Sequence, residues 1–312
     1  ATTEITTQEE SSTTTNSSTT NNESTTTPQQ KPSQKPSKKP STPSTKGSKP
    51  LLYKVTDKKG NVVWLFGSIH VGRDDFYPLP KYVMNAYNGA DVLAVEADIK
   101  AFEENTLLQM KLLRKMMYKD RTTIKDHIPK DVYNKAVKIL DDNGMYVSVM
   151  DSYYPVIWSS LIDGIMIEKV GVKTELGIDS YLLDKAYEDG KEVSEVEPAE
   201  FQYDMLVGFD DDIQLELLKG SIEQYNDMDS AKEGLDEMMD LWASGNEKKF
   251  EEFLAYNDEG LTEEEKDLYQ RYNKAMETDR NINMADYAEE ALESGKEVFI
   301  CVGAAHVVGE GA

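Results

Sequence analysis

Histidine and cysteine are almost absent from this chain of 312 residues, which has three of the first and one of the second. A single cysteine excludes an intramolecular disulfide framework and a cysteine-based zinc knuckle. Cys301 stands in the apolar run VFICVG, where a buried, inert thiol is expected. Long apolar runs are missing too, and no stretch has the length and composition to cross a membrane. The first fifty residues contain no Phe, Trp, Tyr, Val, Met, Cys or Leu. A segment of that kind cannot bury enough apolar surface to offset its ordering entropy, so 1–50 is expected to be a disordered Ser/Thr/Pro/Lys-rich linker. Its Pro–Lys stretch favours extended conformations and works as a semi-stiff spacer. Residues 51–312 are then read as one domain.

Positive charge is scarce as well. The chain carries a net charge of −24, and the linker holds six Lys against four Glu, so 51–312 carries about −26. A surface this acidic repels phosphate backbones and anionic headgroups, which argues against a nucleic-acid partner. Solubility accounts for most of the acids.

What is present reads as strands at both ends of the domain and helices between. LLYKVT (51–56) and VVWLF (62–66) are β-branched and aromatic runs around DKKGN, a hairpin signal. A helix follows PLP and stops near Gly89, and DVLAVEAD holds a short buried strand at 92–95. Residues 101–119, rich in Met and Leu, and 130–142 read as amphipathic helices. Residues 153–170 form an apolar helix placed under or beside the site. A helix at 175–189 precedes a strand at 191–196. From 198 to 294 the pattern is helical, with breaks near Gly245 and 257–260, and a buried strand closes the domain at 297–302. The fold class expected is α+β, a mixed central sheet covered by helices with a long helical middle insertion.

Two of the three histidines share a setting. WLFGSIHVG puts Gly67 three residues before His70, and FICVGAAHVVG puts Gly303 three residues before His306; chance gives this pairing about one time in a hundred. Each follows the end of an apolar strand, as do Glu96 after 92–95 and Glu197 after 191–196. In a mainly parallel sheet, ligands gather beyond the carboxyl ends of the strands. Glycine before each histidine is expected to let the backbone turn and to leave space for an ion or substrate. Two imidazoles with one or two carboxylates suit Zn, Mn, Co or Fe in an open hydrolytic site, where the metal would activate water and polarise a carbonyl. A histidine at a strand end also serves as a structural hydrogen-bonding group, and Glu197, in VEPAEFQ, suits a helix N-terminus equally well. His127, in TIKDHIPKD, is read as structural or solvated.

GSIHVG followed by PLP, a helix and VLAVEAD resembles the opening of the TraB/GumN proteins, which include the Tiki metalloproteases and a pheromone-shutdown branch. TELGIDSYLLDKAYEDGKEVSEVEPAEFQ, METDRNINMA and GAAHVVGEG resemble later motifs of that family, in the same order across 51–312. Pro198 stands where the family has Thr, and the family continues for a further helix and strand beyond GEGA. The resemblance implies a fold related to the erythromycin-esterase and ChaN-like proteins. It implies His70, His306 and Glu96 as metal ligands for a divalent ion (Mn, Co or Zn), and Glu96, Arg280 and Glu197 as catalytic, with Gln202 nearby. Arg280 would anchor an oxyanion or substrate carboxylate, whereas composition alone favours a helix arginine in a salt bridge. The function expected is a metal-dependent hydrolase, a peptidase acting on an exported peptide or protein. The alternatives are a non-catalytic peptide-sequestering module and a haem- or metal-binding protein. A Ser/Thr-rich spacer ahead of a folded domain points to an extracytoplasmic protein, secreted or anchored at the cell surface as a lipoprotein. Its membrane contact would then be an N-terminal anchor only.

Overall fold

The structure, a computed structural model, describes residues 4–6, 48–255 and 260–309. Six strands form one sheet: β1 (Glu4–Thr6), β2 (Leu52–Thr56), β3 (Val62–Ser68), β4 (Val92–Val95), β5 (Glu192–Glu195) and β6 (Val298–Gly303). Their spatial order is β1-β2-β3-β6-β4-β5. The first three are antiparallel neighbours, whereas β3, β6, β4 and β5 run parallel. The hairpin at 52–68 turns where DKKGN predicts, with Gly60 at φ 90° and the Asp57 carboxylate accepting from the Lys59 and Asn61 N–H groups. β4 and β6 are buried along almost their whole length, as strands covered on both faces must be.

Between the strands lie α1 (Lys81–Gly89), α2 (Ile99–Glu104), α3 (Thr106–Lys115), α4 (Ile124–His127), α5 (Lys130–Asp142), α6 (Pro155–Lys169) and α7 (Ile178–Asp189). After β5 come α8 (Ala199–Val207), α9 (Asp211–Asn226), α10 (Met228–Ser244), α11 (Glu247–Leu254), α12 (Glu263–Asn273) and α13 (Asp279–Ser294). One face of the sheet packs Phe66, Leu93, Phe299 and Cys301 against α1, α7 and Trp242 of α10. The other packs Val63, Ala94 and Ile300 against Met284 and Ala291 of α13. A separate helical core holds Leu140 of α5, Trp158 and Ile162 of α6, and Leu218 of α9. The mixed sheet under helices agrees with the α+β expectation, and the middle of the chain is helical as expected.

Three details differ from the sequence reading. The helix expected over 101–119 is two, because Asn105 stops α2 and its side chain accepts from Leu108 N to cap α3. The apolar helix expected under or beside the site, α6, packs mainly on α9 and α5 in the helical core, with Ile167 near its end against the core under the sheet. The core also begins before residue 51: Ser48 and Pro50 are buried, and Lys49 N donates to Ala243 O at 2.7 Å. Most of the expected linker, residues 1–3 and 7–47, lies outside the described residues, as does most of the break expected at 257–260.

Candidate active site

The four parallel strands point their carboxyl ends the same way, so their following residues meet at one edge of the sheet. Pairing continues past β4 and β5: Val196 N donates to Val95 O at 2.8 Å and Glu197 N to Glu96 O at 2.9 Å. This sets Glu96 and Glu197 side by side. Pro198, in extended conformation, then starts α8, and Gln202 one turn later reaches Glu96 Oε2 at 3.3 Å and Glu197 Oε2 at 3.4 Å. The proline therefore leaves this motif in place at the site.

Arg280 joins the two acids. Its Nε lies 3.1 and 2.9 Å from the two Glu197 carboxylate oxygens, and Nη2 lies 2.7 Å from Oε2 of both Glu197 and Glu96. Nη1 donates to the Met276 carbonyl at 3.3 Å. Glu197 is 2% exposed and Arg280 5%. With Nε, Nη1 and Nη2 all donating, the guanidinium holds the carboxylates more than it offers a fork to a ligand. Burial pushes the Glu96 carboxyl up, but Arg280 and the Gly303 N–H, 2.6 Å from Oε1, hold it below the usual carboxylate range. Glu96 is thus kept as an anion, suited to a cation or a proton acceptor. Arg280 sits just after a five-residue π-helical stretch, Lys274–Thr278, a local rewinding that recurs at functional sites.

His70 and His306 are held alike. Asp179 Oδ2 lies 2.7 Å from His70 Nδ1, and Asn281 Oδ1 lies 2.6 Å from His306 Nδ1. With an oxygen accepting at Nδ1, each ring leaves its Nε2 lone pair for a ligand, an orientation typical of metal-binding histidines. Asp179 reaches His70 because two loops lie against each other: Ile178 N donates to Ile69 O at 2.9 Å and Gly72 pairs with Lys173. A side chain at Gly72 would meet Leu176 O at 1.8 Å, so only glycine allows this approach. Asp179 raises the pKa of His70 through the hydrogen bond. Burial and the Arg280 charge lower that of His306.

A pocket at this edge is lined by Ser68, His70, Glu96, Asp179 and Cys301, with apolar walls at Ile99 and Leu183. Two polar atoms of its lining, Ser68 Oγ and Asp179 Oδ1, are buried without a hydrogen-bond partner. His306 stands behind Gly303: a β-carbon there would lie 3.1 Å from Glu96 Oε1 and 3.6 Å from His306 Cδ2. The space beside Gly67 is filled by Ala304 and Val307, at 2.9 and 2.7 Å from such a carbon. The glycine reading therefore needs correction. The two glycines let the paired histidine loops touch each other and Glu96, rather than making room for an ion.

The structure thus brings His70, Glu96, Glu197, Arg280, His306 and Gln202 to one edge. Among the described residues, no three His, Cys, Asp or Glu side chains are set to hold a metal ion in this arrangement. The sequence reading missed Asp179 and Asn281, although both lie in quoted motifs, ELGID and DRN. The signal was Gly177 two residues before Asp179 in one case and adjacency to Arg280 in the other. His127 is structural as expected, stacked on Tyr118 at 4.1 Å and bonded to Thr122 and Asp211. Cys301 is 1% exposed, and burial pushes its thiol well up.

The same motifs decide the family, since residues 51–312 match the TraB/PrgY/gumN family over their full span. The chain belongs to the TraB/PrgY/gumN family. The uncharacterized protein YbaP of Escherichia coli (strain K12) is 27% identical over 249 residues, covering 79% of this chain and 84% of that protein. YbaP of Shigella flexneri matches to the same extent. No solved structure matches. For a TraB/PrgY/gumN member, the shared edge of sheet carries both Gly-x-x-His motifs, the ELGID aspartate and the Arg-Asn pair within one set of contacts.

Proposed function

We propose that the pocket between His70 and Glu96 binds a divalent cation (Mn, Co or Zn) and that the protein is a metal-dependent hydrolase, a peptidase acting on an exported peptide or protein. The observation that carries this reading is the pair of imidazoles, each bonded at Nδ1 by an oxygen, beside the anionic Glu96 carboxylate. Asp179 Oδ1, buried without a partner in the same pocket, would be met by an ordered water. The charge balance supports a cation. Glu96 and Glu197 share the single guanidinium of Arg280 while Asp179 bonds His70, so the three carboxylates leave two negative charges when both histidines are neutral.

His70 Nε2 and Glu96 would hold the ion, with His306 Nε2 reached by a side-chain adjustment. Bound there, the ion would supply an activated water at neutral pH and polarise a carbonyl. Arg280 keeps Glu96 charged, Asp179 and Asn281 fix the imidazoles, and Ser68 Oγ is free to donate to a bound oxygen. Haem fits less well, because Glu96, Asp179 and Ser68 interrupt the apolar lining of the pocket, which is not a broad apolar slot. Location outside the cytoplasm, secreted or surface-anchored, remains part of this proposal and rests on the spacer composition.

The test is metal-free protein titrated with Mn²⁺, Co²⁺ and Zn²⁺ by calorimetry, followed by incubation with a peptide library. One-to-one binding, weakened about 10–100-fold in Asp179→Asn, together with metal-dependent cleavage, is the expected result. Binding without cleavage would leave a sequestering module, and no binding by any of the three ions would overturn the reading.

A further inference from the structure

The α3 helix carries an apolar face that the protein leaves bare. Leu107 is 81% exposed, Met110 49% and Leu113 48%, and their spacing of three puts them on one stripe. The opposite side is fully used. Leu112 is buried, while Lys111 and Lys115 pair with Glu200 and Asp204 of α8. Arg114 borders the stripe, and Lys119 and Arg121 follow the helix; none of the three forms an ion pair among the described residues. Residues 106–121 hold five Lys or Arg against one acid, Asp120, in a domain that is otherwise strongly acidic. The nearest acids on the preceding helix are Glu103 and Glu104.

A second bare apolar set lies near the same end. Met145, Val147 and Val149 are 41, 56 and 52% exposed. The chain after them is tied to the end of α3: Tyr118 N donates to Ser152 O at 2.8 Å and Tyr154 N to Met116 O at 3.0 Å.

We propose that α3 is an interfacial helix that rests on an anionic lipid surface, its Leu/Met stripe in the headgroup boundary and Arg114, Lys119 and Arg121 against lipid phosphates. An amphipathic helix with basic flanks has the chemistry such surfaces select. Charge chooses between occupants. A peptide drawn in by the acidic domain would be basic, and would meet like charge at this stripe. With Lys111 and Lys115 paired, Arg114, Lys119 and Arg121 against Asp120 leave the end of this helix positive, in a domain whose overall charge repels anionic headgroups. The contact is independent of any reading of the His70 pocket.

The experiment is co-sedimentation of the full chain with phosphatidylcholine vesicles and with vesicles containing phosphatidylglycerol, at low salt. Binding to the anionic vesicles should be about tenfold stronger or more. The pair Leu107→Ser and Leu113→Ser should lose most binding, and the pair Arg114→Glu and Lys119→Glu should lose the preference for anionic lipid. The exposed pair Lys135→Glu and Lys138→Glu on α5 should change neither. Circular dichroism checks that each variant is folded, and Met110→Ser replaces any stripe variant that is not. Equal or absent binding to the two vesicle types overturns the proposal. So does stripe-dependent capture of a peptide with no change in vesicle binding, which would assign the face to a peptide.

Discussion

Arg280 and Glu197 form a buried ion pair in which Nε touches both carboxylate oxygens and Nη2 lies 2.7 Å from one of them. Removing one partner strands the other's charge in the interior. Arg280→Ala should destabilise the protein by about 3–5 kcal/mol, seen as a lower midpoint in urea unfolding. Arg280→Lys should recover little, since an ammonium cannot span two carboxylates in a fork. Adding Glu197→Gln to Arg280→Ala should restore part of the loss. A stability for Arg280→Ala within about 0.5 kcal/mol of the native protein would contradict the buried-pair assignment.

His70→Ala and His306→Ala should each abolish metal-dependent hydrolysis, and the double variant should be no worse than either alone. Groups that act as one unit show this non-additivity. Each should also lose the thermal stabilisation that the metal gives. Purely structural histidines would instead give additive stability losses, unaffected by metal. Cleavage that survives His70→Ala intact would defeat the hydrolase reading.

In metal-free protein, His70 should keep its proton to higher pH than His306, because Asp179 raises one while burial and Arg280 lower the other. The two contributions to stability have opposite sign. The His70 contribution is complete below the unfolded value of about 6.5 and fades as pH rises through its folded value. The His306 contribution is complete above about 6.5 and fades as pH falls toward its lower folded value. Imidazole proton shifts followed by NMR should show this order, and Asp179→Asn should bring the two titrations together.

Gly67→Ala should cost about 1–3 kcal/mol through overpacking against Ala304 and Val307. Gly164→Ala, on α6, has open space at its β-carbon and should be neutral or stabilising by up to about 1 kcal/mol. Urea midpoints of the two variants compare them directly, and equal midpoints would refute the close approach of the histidine loops.

Much of this could be read from the residues. β4 and β6 were visible because strands covered on both faces must be apolar throughout, and α5 because Val132, Ala136, Ile139 and Leu140 repeat at helical spacing. The site edge followed from two matched Gly-x-x-His motifs after such strands. Pairing across distance was not legible. Nothing local to His70 announces Asp179, which depends on Gly72 and Gly177 letting two remote loops meet. The role of Arg280 was open for the same reason: its partners come from two other strand ends. The placement of most of α6 in the helical core was hidden because an apolar helix looks alike in either core.

The last strand among the described residues, β6, lies in the middle of the parallel group, hydrogen-bonded to β3 on one side and β4 on the other. Until it emerges, a nascent chain holds two apolar strands with unmated edges that invite pairing with other chains. The long wait between β3 and β6 raises contact order and slows closure of the sheet. It also means that His306 can join His70 only after β6 has been made. A chain released before then would carry the histidine of one loop without the other and would be prone to aggregate.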